Sequence, residues 1–278
     1  MDNFDKAAKI IDTADALLIT AGVGMGVDSG LPDFRGAQGF WKAYPPLRKA
    51  GITFAEMANP AQFLDHPKRA WGFYGHRINL YRSTAPHAGF YRLLELGKTM
   101  AGGYFVFTSN VDGQFQKAGY EEERIEECHG SINHLQCTLP CGADIWPADD
   151  LTIKVDERNF EAADPLPRCK HCSALCRPNV LMFGDWNWIS ARTDSQEKRF
   201  NNWLKENLKN SHKAVIVELG AGTAVATVRF TSEQIAKNYD AALIRINPRD
   251  YETPPGHISL PVSAEEGVER IYQLIAGA

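Results

Sequence analysis

Nowhere in the 278 residues is there an apolar run approaching the about 20 residues that a bilayer-spanning helix needs. Basic charge is not in excess either. Lys and Arg number 30 against 34 Asp and Glu, a formal net charge of -4, so nothing global attracts nucleic acid or an anionic membrane. The opening MDNFDKAAKIIDTADALLIT lacks the basic start and small-residue cleavage site of a secretory signal, and is read as a helix leading into a strand. Internal repeats and low-complexity linkers are missing as well. These absences predict a cytoplasmic protein with no membrane partner and no direct nucleic-acid binding. Cysteine is scarce, six in all, and in a reducing compartment spaced pairs speak for metal rather than disulfides.

What is present is an ordinary globular balance, 44% hydrophobic and 23% charged, enough for a sizeable core. Apolar runs at 16–20 (ALLIT), 104–109 (YFVFTS), 214–219 (AVIVEL) and 242–246 (ALIRI) are continuous rather than alternating, as strands covered on both faces should be. Helical stretches lie between them, at 88–96 and 200–208. This alternation predicts an α/β fold built on a doubly wound parallel sheet. Two stretches break the rhythm, and they are expected to form a smaller lobe: a helical insertion at 37–84 and a cysteine-bearing one at 131–179. The main lobe then comprises 1–36, 85–130 and 180–278, with the ligand site in the cleft between lobes.

After the first strand comes Ala21-Gly22-Val23-Gly24-Met25-Gly26-Val27-Asp28-Ser29-Gly30, then Leu31-Pro32-Asp33-Phe34-Arg35. Glycines directly after a strand let backbone amides approach a pyrophosphate. The third glycine of G-x-G-x-x-G is replaced by Val27, which disfavours an ordinary dehydrogenase; a tight turn that binds nothing is the plain alternative. Asp33, Phe34 and Arg35 add an acid, a ring able to shield a reactive carbon, and a guanidinium able to pair with phosphate. At the end of the 104–109 run, Ser109-Asn110-Val111-Asp112-Gly113 offers polar groups where open parallel sheets bind ligands, or simply an Asx turn.

The segment Ile125-Glu126-Glu127-Cys128-His129-Gly130 looks like a short strand ending in His-Gly. A histidine there can serve as general base near neutral pH. Cys137, Cys141, Cys169 and Cys172 form two close pairs, the pattern of a closed and therefore structural tetrahedral Zn²⁺ site; two disulfides are the alternative. The long polar stretch between the pairs calls for a loop or helix of its own. Cys128 and Cys176 fall outside the pairs, and His134 and His171 are not needed as ligands.

Taken in order, these motifs resemble the sirtuin family of NAD-dependent protein deacylases, over essentially the whole chain. The glycine loop with Pro-Asp-Phe-Arg is similar to Gly22–Arg35, the Gln-Asn-Ile-Asp signature to Ser109–Asp112, and His-Gly to His129-Gly130. The paired cysteines match, and the substrate-pairing Arg-Pro-x-Val-x-x-Phe-Gly-Glu segment is similar to Arg177–Asp185. Late Gly-Thr-Ser and Ile-Asn signatures resemble Gly222-Thr223-Ala224 and Ile246-Asn247.

The resemblance implies that an acylated lysine enters between the lobes and passes its acyl group to ADP-ribose as nicotinamide leaves. It implies His129, Asn110 and Asp112 as catalytic residues. Gly22, Val23, Gly24, Asp33, Phe34, Arg35, Ser109, Asn110, Asp112, Gly222, Thr223, Ala224 and Asn247 are implied as holding NAD, and Val180, Phe183 and Gly184 the substrate. Tyr74 and Arg77, three apart on a helix, match the pair that binds the acyl carboxylate in the malonyl- and succinyl-removing branch; Arg77 on an ordinary packed helix is the alternative. Departures stand at Val23, Gly26, Asp28, Ser109, Phe115 and Asp185. They leave open an ADP-ribosyltransferase or NAD hydrolase on the same fold, or a silent binding module.

Overall fold

The computed structural model describes residues 2–33, 37–139, 141–156, 158–208 and 213–277. The strands are β1 (Ala16–Ala21), β2 (Tyr104–Thr108), β3 (Ile125–Glu127), β4 (Gly130–Cys137), β5 (Ile145–Pro147), β6 (Val155–Asp156), β7 (Glu161–Ala162), β8 (Cys176–Val180), β9 (Ala214–Leu219), β10 (Ala242–Ile246) and β11 (Ile258–Leu260). The longer helices are α1 (Asn3–Asp12), α2 (Pro67–Ser83), α3 (Ala88–Thr99), α4 (Ala191–Leu208), α5 (Thr227–Tyr239) and α6 (Ala264–Ala276). Short turns of helix at 37–65 and 114–117 fill the connections.

Asp2 opens α1 with a reciprocal cap, accepting from Asp5 N while Asp5 accepts from Asp2 N, and Phe4, Ala7, Ala8 and Ile11 form its buried face. β1 follows and is buried throughout. Its residues alternate between two cores: Leu17, Ile19 and Ala21 pack with Phe4, Phe90 and Ile271, whereas Ala16 and Leu18 pack with Phe200, Trp203 and Leu243. Burial on both faces explains the unbroken apolar runs. The sheet is parallel, in the order β11-β10-β9-β1-β2-β3. Strand order therefore reverses between β1 and β9, and the carboxyl ends of those strands mark the expected ligand crevice.

Both insertions contribute to a third core, where Phe40, Tyr44, Trp71, Phe73 and Tyr74 meet Ile132, Ile153 and Phe160. Two helical glycines allow that contact. A Cβ on Gly72 would lie 1.8 Å from Phe160 O, and one on Gly75 would lie 2.3 Å from the Ile153 side chain. A glycine inside a helix costs about 1 kcal/mol relative to alanine, here offset by backbone-to-backbone packing. Trp71 Nε1 also donates to Cys176 O (3.0 Å), tying α2 to β8. The polar stretch between the cysteine pairs carries a small antiparallel ladder, β6 with β7, and no helix among its described residues. No helix among the described residues is long and apolar enough to cross a membrane.

Candidate active site

At the switch point two loops cross. Gly22 N donates to Leu219 O (2.9 Å) and Gly24 N to Gly220 O (3.0 Å). A Cβ on Gly24 would sit 2.7 Å from Gly220 Cα, and one on Gly220, whose φ is +58°, would sit 2.4 Å from Gly24 C. Close approach of two backbones is thus what these glycines permit first. Beyond the crossing opens a groove of about 980 Å³ lined by Val23, Gly24, Asp33, Gly222, Thr223, Ala224 and Asn247. Gly22 lies under the crossing rather than on the groove wall. Phe34 and Arg35 fall outside the described residues.

Side chains in the groove are largely occupied by its own loops. Asn247 donates from Nδ2 to Ala221 O (3.0 Å), and its Oδ1 accepts from Arg249 N and Asp250 N. Asp33 pairs with Arg249 at 2.9 Å. Asp28, a carboxylate out of keeping with a phosphate loop, accepts from Glu265 N (2.8 Å) at the start of α6. The helix N-terminus stabilises its charge.

Val23 and Val225 line this groove and also an adjoining cavity of about 230 Å³. That cavity brings together His129, Ser109, Asn110 and Asp112 from the sheet ends with Tyr74 and Arg77 from α2. Val180 and Phe183 line it as well; Gly184 follows them in the chain with φ +68° but is not on the wall. Asn110 Nδ2 donates to Gly22 O (2.9 Å), fastening the end of β2 to the glycine turn. Asp112 Oδ1 accepts from Gln114 N (2.9 Å), so it both closes a turn and faces the cavity.

β3 stops at Glu127, and His129 sits in the tight turn leading to β4. Gly130 completes that turn at φ +75°, where any Cβ would come within 2.1 Å of Asn179 O. Leu181 N donates to His129 O (2.9 Å). From the other side, Gln196 Oε1 accepts from Glu127 N (3.1 Å) and Thr193 Oγ1 donates to Glu127 O (3.2 Å). The side chains of α4 thus complete the sheet-edge backbone that leads into the histidine.

Arg77 is 7% exposed. Its Nε and Nη2 donate to Tyr81 Oη at 3.0 and 2.8 Å, and its guanidinium lies 5.2 to 5.8 Å from the Phe73, Tyr74 and Tyr81 rings. Tyr74 is fully buried, its hydroxyl has no hydrogen-bond partner among the described residues, and burial pushes its pKa up to about 12. It therefore remains a neutral donor at physiological pH. An unsatisfied buried hydroxyl costs about 1–3 kcal/mol, a cost that an acceptor entering the cavity would relieve.

The four thiols of Cys137, Cys141, Cys169 and Cys172 lie within 4.8 Å of one another. Sγ separations of 3.5 Å (Cys137–Cys172) and 3.7 Å (Cys141–Cys169) are far from a disulfide bond. They fit the edges of a tetrahedron with Zn–S bonds of about 2.3 Å. The cluster fits a structural zinc site with every ligand position filled by protein. Cys176 is buried on β8 opposite Cys137, while Cys128 is half-buried beside the Phe200 core. His171 pairs with Asp144 (2.6 Å) and His134 lies on β4, neither belonging to the thiol cluster.

Comparison with known proteins matches residues 22–218 to the model of the Sir2 family. The chain belongs to the Sir2 family. Two curated relatives of this sirtuin are each named NAD-dependent protein deacylase. One, from Thermus thermophilus, is 28% identical over 276 residues, covering 96% of this chain and 93% of the relative. The other, from Leptospira interrogans, is 30% identical over 229 residues, covering 82% and 79%. A solved Sir2 homologue in complex with NAD superposes with a TM-score of 0.71 at 25% identity, covering 100% of this chain and 94% of that one.

Against the sirtuin motifs, the divergent positions find plain structural uses. Phe115 is buried edge-on against Phe90 and Tyr120. Ser109 is buried with its N–H donated to Ala21 O (3.2 Å). Asp185 forms a buried ion pair with Arg177 at 2.8 Å. Sequence reading missed Tyr81, although its spacing of four from Arg77 on α2 could have flagged it. It also missed Arg249, whose position just past a strand end was the available signal.

Proposed function

We propose that this sirtuin is an NAD-dependent protein lysine deacylase that prefers acyl groups ending in a carboxylate, such as malonyl and succinyl. The names of the curated relatives support the general activity. The acyl preference rests on one observation: His129 and the Tyr74–Arg77 pair line the same cavity, and Tyr74 carries a buried hydroxyl in want of an acceptor.

The glycine crossing and the segment Gly222-Thr223-Ala224, with Asn247 shaping the wall, would hold the dinucleotide, and the side-chain-free backbone at Gly24 fits a closely approaching pyrophosphate. Asp33, Ser109, Asn110 and Asp112 are assigned to its nicotinamide end; Phe34 and Arg35 are assigned there on sequence resemblance. Bound NAD supplies the acyl acceptor and, as nicotinamide leaves, the driving force. His129 acts as general base, taking a proton from a hydroxyl presented in the cavity. Val180, Phe183 and Gly184 receive the peptide backbone. Arg77 and Tyr74 bind the distal carboxylate through charge-assisted and neutral hydrogen bonds. Zinc held by the four cysteines would keep the small core in shape and stay outside the chemistry.

The test is mass spectrometry of products from NAD with acetyl-, succinyl- and long-chain acyl-lysine peptides. Succinyl-lysine should be turned over best. Arg77→Met should lower succinyl turnover about tenfold or more and spare acetyl-lysine. Equal losses on both would remove the acyl assignment, and nicotinamide release that ignores the peptide would remove deacylation.

A further inference from the structure

Trp186 is 95% exposed, yet it stands in a tightly held loop between β8 and α4. On one side, Asp185 is locked by Arg177 in an ion pair with side chains 0% and 2% exposed. On the other, Asn187 N donates to Asp185 Oδ1 (3.3 Å) and Asn187 O accepts from Gln136 Nε2 (2.8 Å). Two residues on, Ile189 N donates to Gln136 Oε1 (3.1 Å), and Ile189 O accepts from Asn179 Nδ2 (2.9 Å). Gln136 and Asn179 are both fully buried. The backbone around the indole is clamped while the ring itself contributes nothing to the core.

Its place in the chain gives the ring a use. Phe183, three residues earlier, lines the His129 cavity and meets Phe54 edge-on at 6.1 Å. Three residues span at most about 11 Å, so Trp186 lies within one or two side chains of the cavity wall. Leu181 and Phe183 both line the cavity and are 38% and 44% exposed, so its wall carries apolar surface out to solvent. A single exposed apolar side chain is ordinary. A rigidly presented aromatic beside a substrate cavity is instead a preorganised anchor.

We infer that Trp186 is a specificity residue that packs against an apolar side chain flanking the acyl-lysine of the substrate polypeptide. This rests on the deacylase reading above. An apolar neighbour is favoured over a cationic one because Asp185 is the one carboxylate in the 181–190 loop, and Arg177 already neutralises it.

The test uses acyl-lysine peptides of one length carrying Leu or Phe, Arg, or Gly at the two positions on each side of the lysine. The wild type should favour Leu or Phe flanks over Gly by about tenfold in kcat/KM, mostly through KM. In Trp186→Ala that advantage should collapse, and Trp186→Phe should restore most of it. Melting temperature should not move in either variant, since the indole buries nothing. Retention of the preference in Trp186→Ala, or a wild-type preference for Arg flanks, overturns the inference and leaves the deacylase reading intact. Failure to act on any acyl-peptide overturns that reading and this inference with it.

Discussion

The groove at the switch point and the cavity beside it share Val23 and Val225 but are built by opposite means. The groove is built over a backbone crossing. Gly24 and Gly220 cross with no room for a Cβ, and Asn247 and Asp28 are occupied in holding the surrounding loops. The cavity is side chains: a histidine from a turn, and a tyrosine and arginine from a helix of the first insertion. A backbone site is fixed by chain geometry, so it suits a ligand that never changes. A side-chain site can be re-aimed by one substitution, so it suits the part of the substrate that varies.

That contrast can be broken first at His129. His129→Ala should lower peptide-dependent turnover by about 100- to 10,000-fold, the usual worth of a general base. Its melting temperature should stay near the wild-type value, because the removed ring lines a cavity and the His129 carbonyl that receives Leu181 remains. Unchanged turnover would show that the cavity does no acid–base chemistry. Gly220→Ala should do the reverse. At φ +58°, with a Cβ 2.4 Å from Gly24 C, it should cost about 1–3 kcal/mol in urea unfolding and weaken NAD binding. A Gly220→Ala protein of wild-type stability would mean that the crossing is looser than its geometry implies.

The same contrast explains what could be read in advance. β9 and β10 match their apolar runs residue for residue, and β1 and β2 differ by one residue, because strands buried on both faces carry an unbroken signal. The four thiols were legible because zinc ligands must come in short-spaced pairs. His129 was legible as a residue but not in its setting, since β3 is only three residues long and its missing backbone partners are supplied by Gln196 and Thr193, far along the chain. Glycines were legible as a loop, whereas their partner loop at Gly220 was not, because close approach of two segments leaves no local pattern. The third core was the hardest part: Gly72 and Gly75 look like defects in α2 until Phe160 and Ile153 are seen against them.

The support behind the side-chain site can be probed through pH. β3 carries two adjacent buried carboxyl groups that are treated differently. Glu127 pairs with Arg192 at 2.6 Å, whereas Glu126 is buried with Glu197 as its charged neighbour and its Oε2 has no hydrogen-bond partner among the described residues. Desolvation, with Glu197 adding to it, raises the Glu126 pKa from 4.5 to about 8. A carboxyl group whose pKa is raised by folding keeps its proton in the native state after the unfolded chain has lost it. Stability from this group is therefore intact below about pH 4.5, declines as pH rises, and reaches its lowest level above about pH 8. Glu126→Gln removes the titration and keeps the shape. The variant should match the wild type below about pH 4 and gain on it by up to about 1.4 kcal/mol per pH unit towards pH 8, read from urea unfolding at each pH. A gap that stays constant with pH would mean that Glu126 is already ionised in the folded protein, and that the strand leading to His129 tolerates a charge on its buried face.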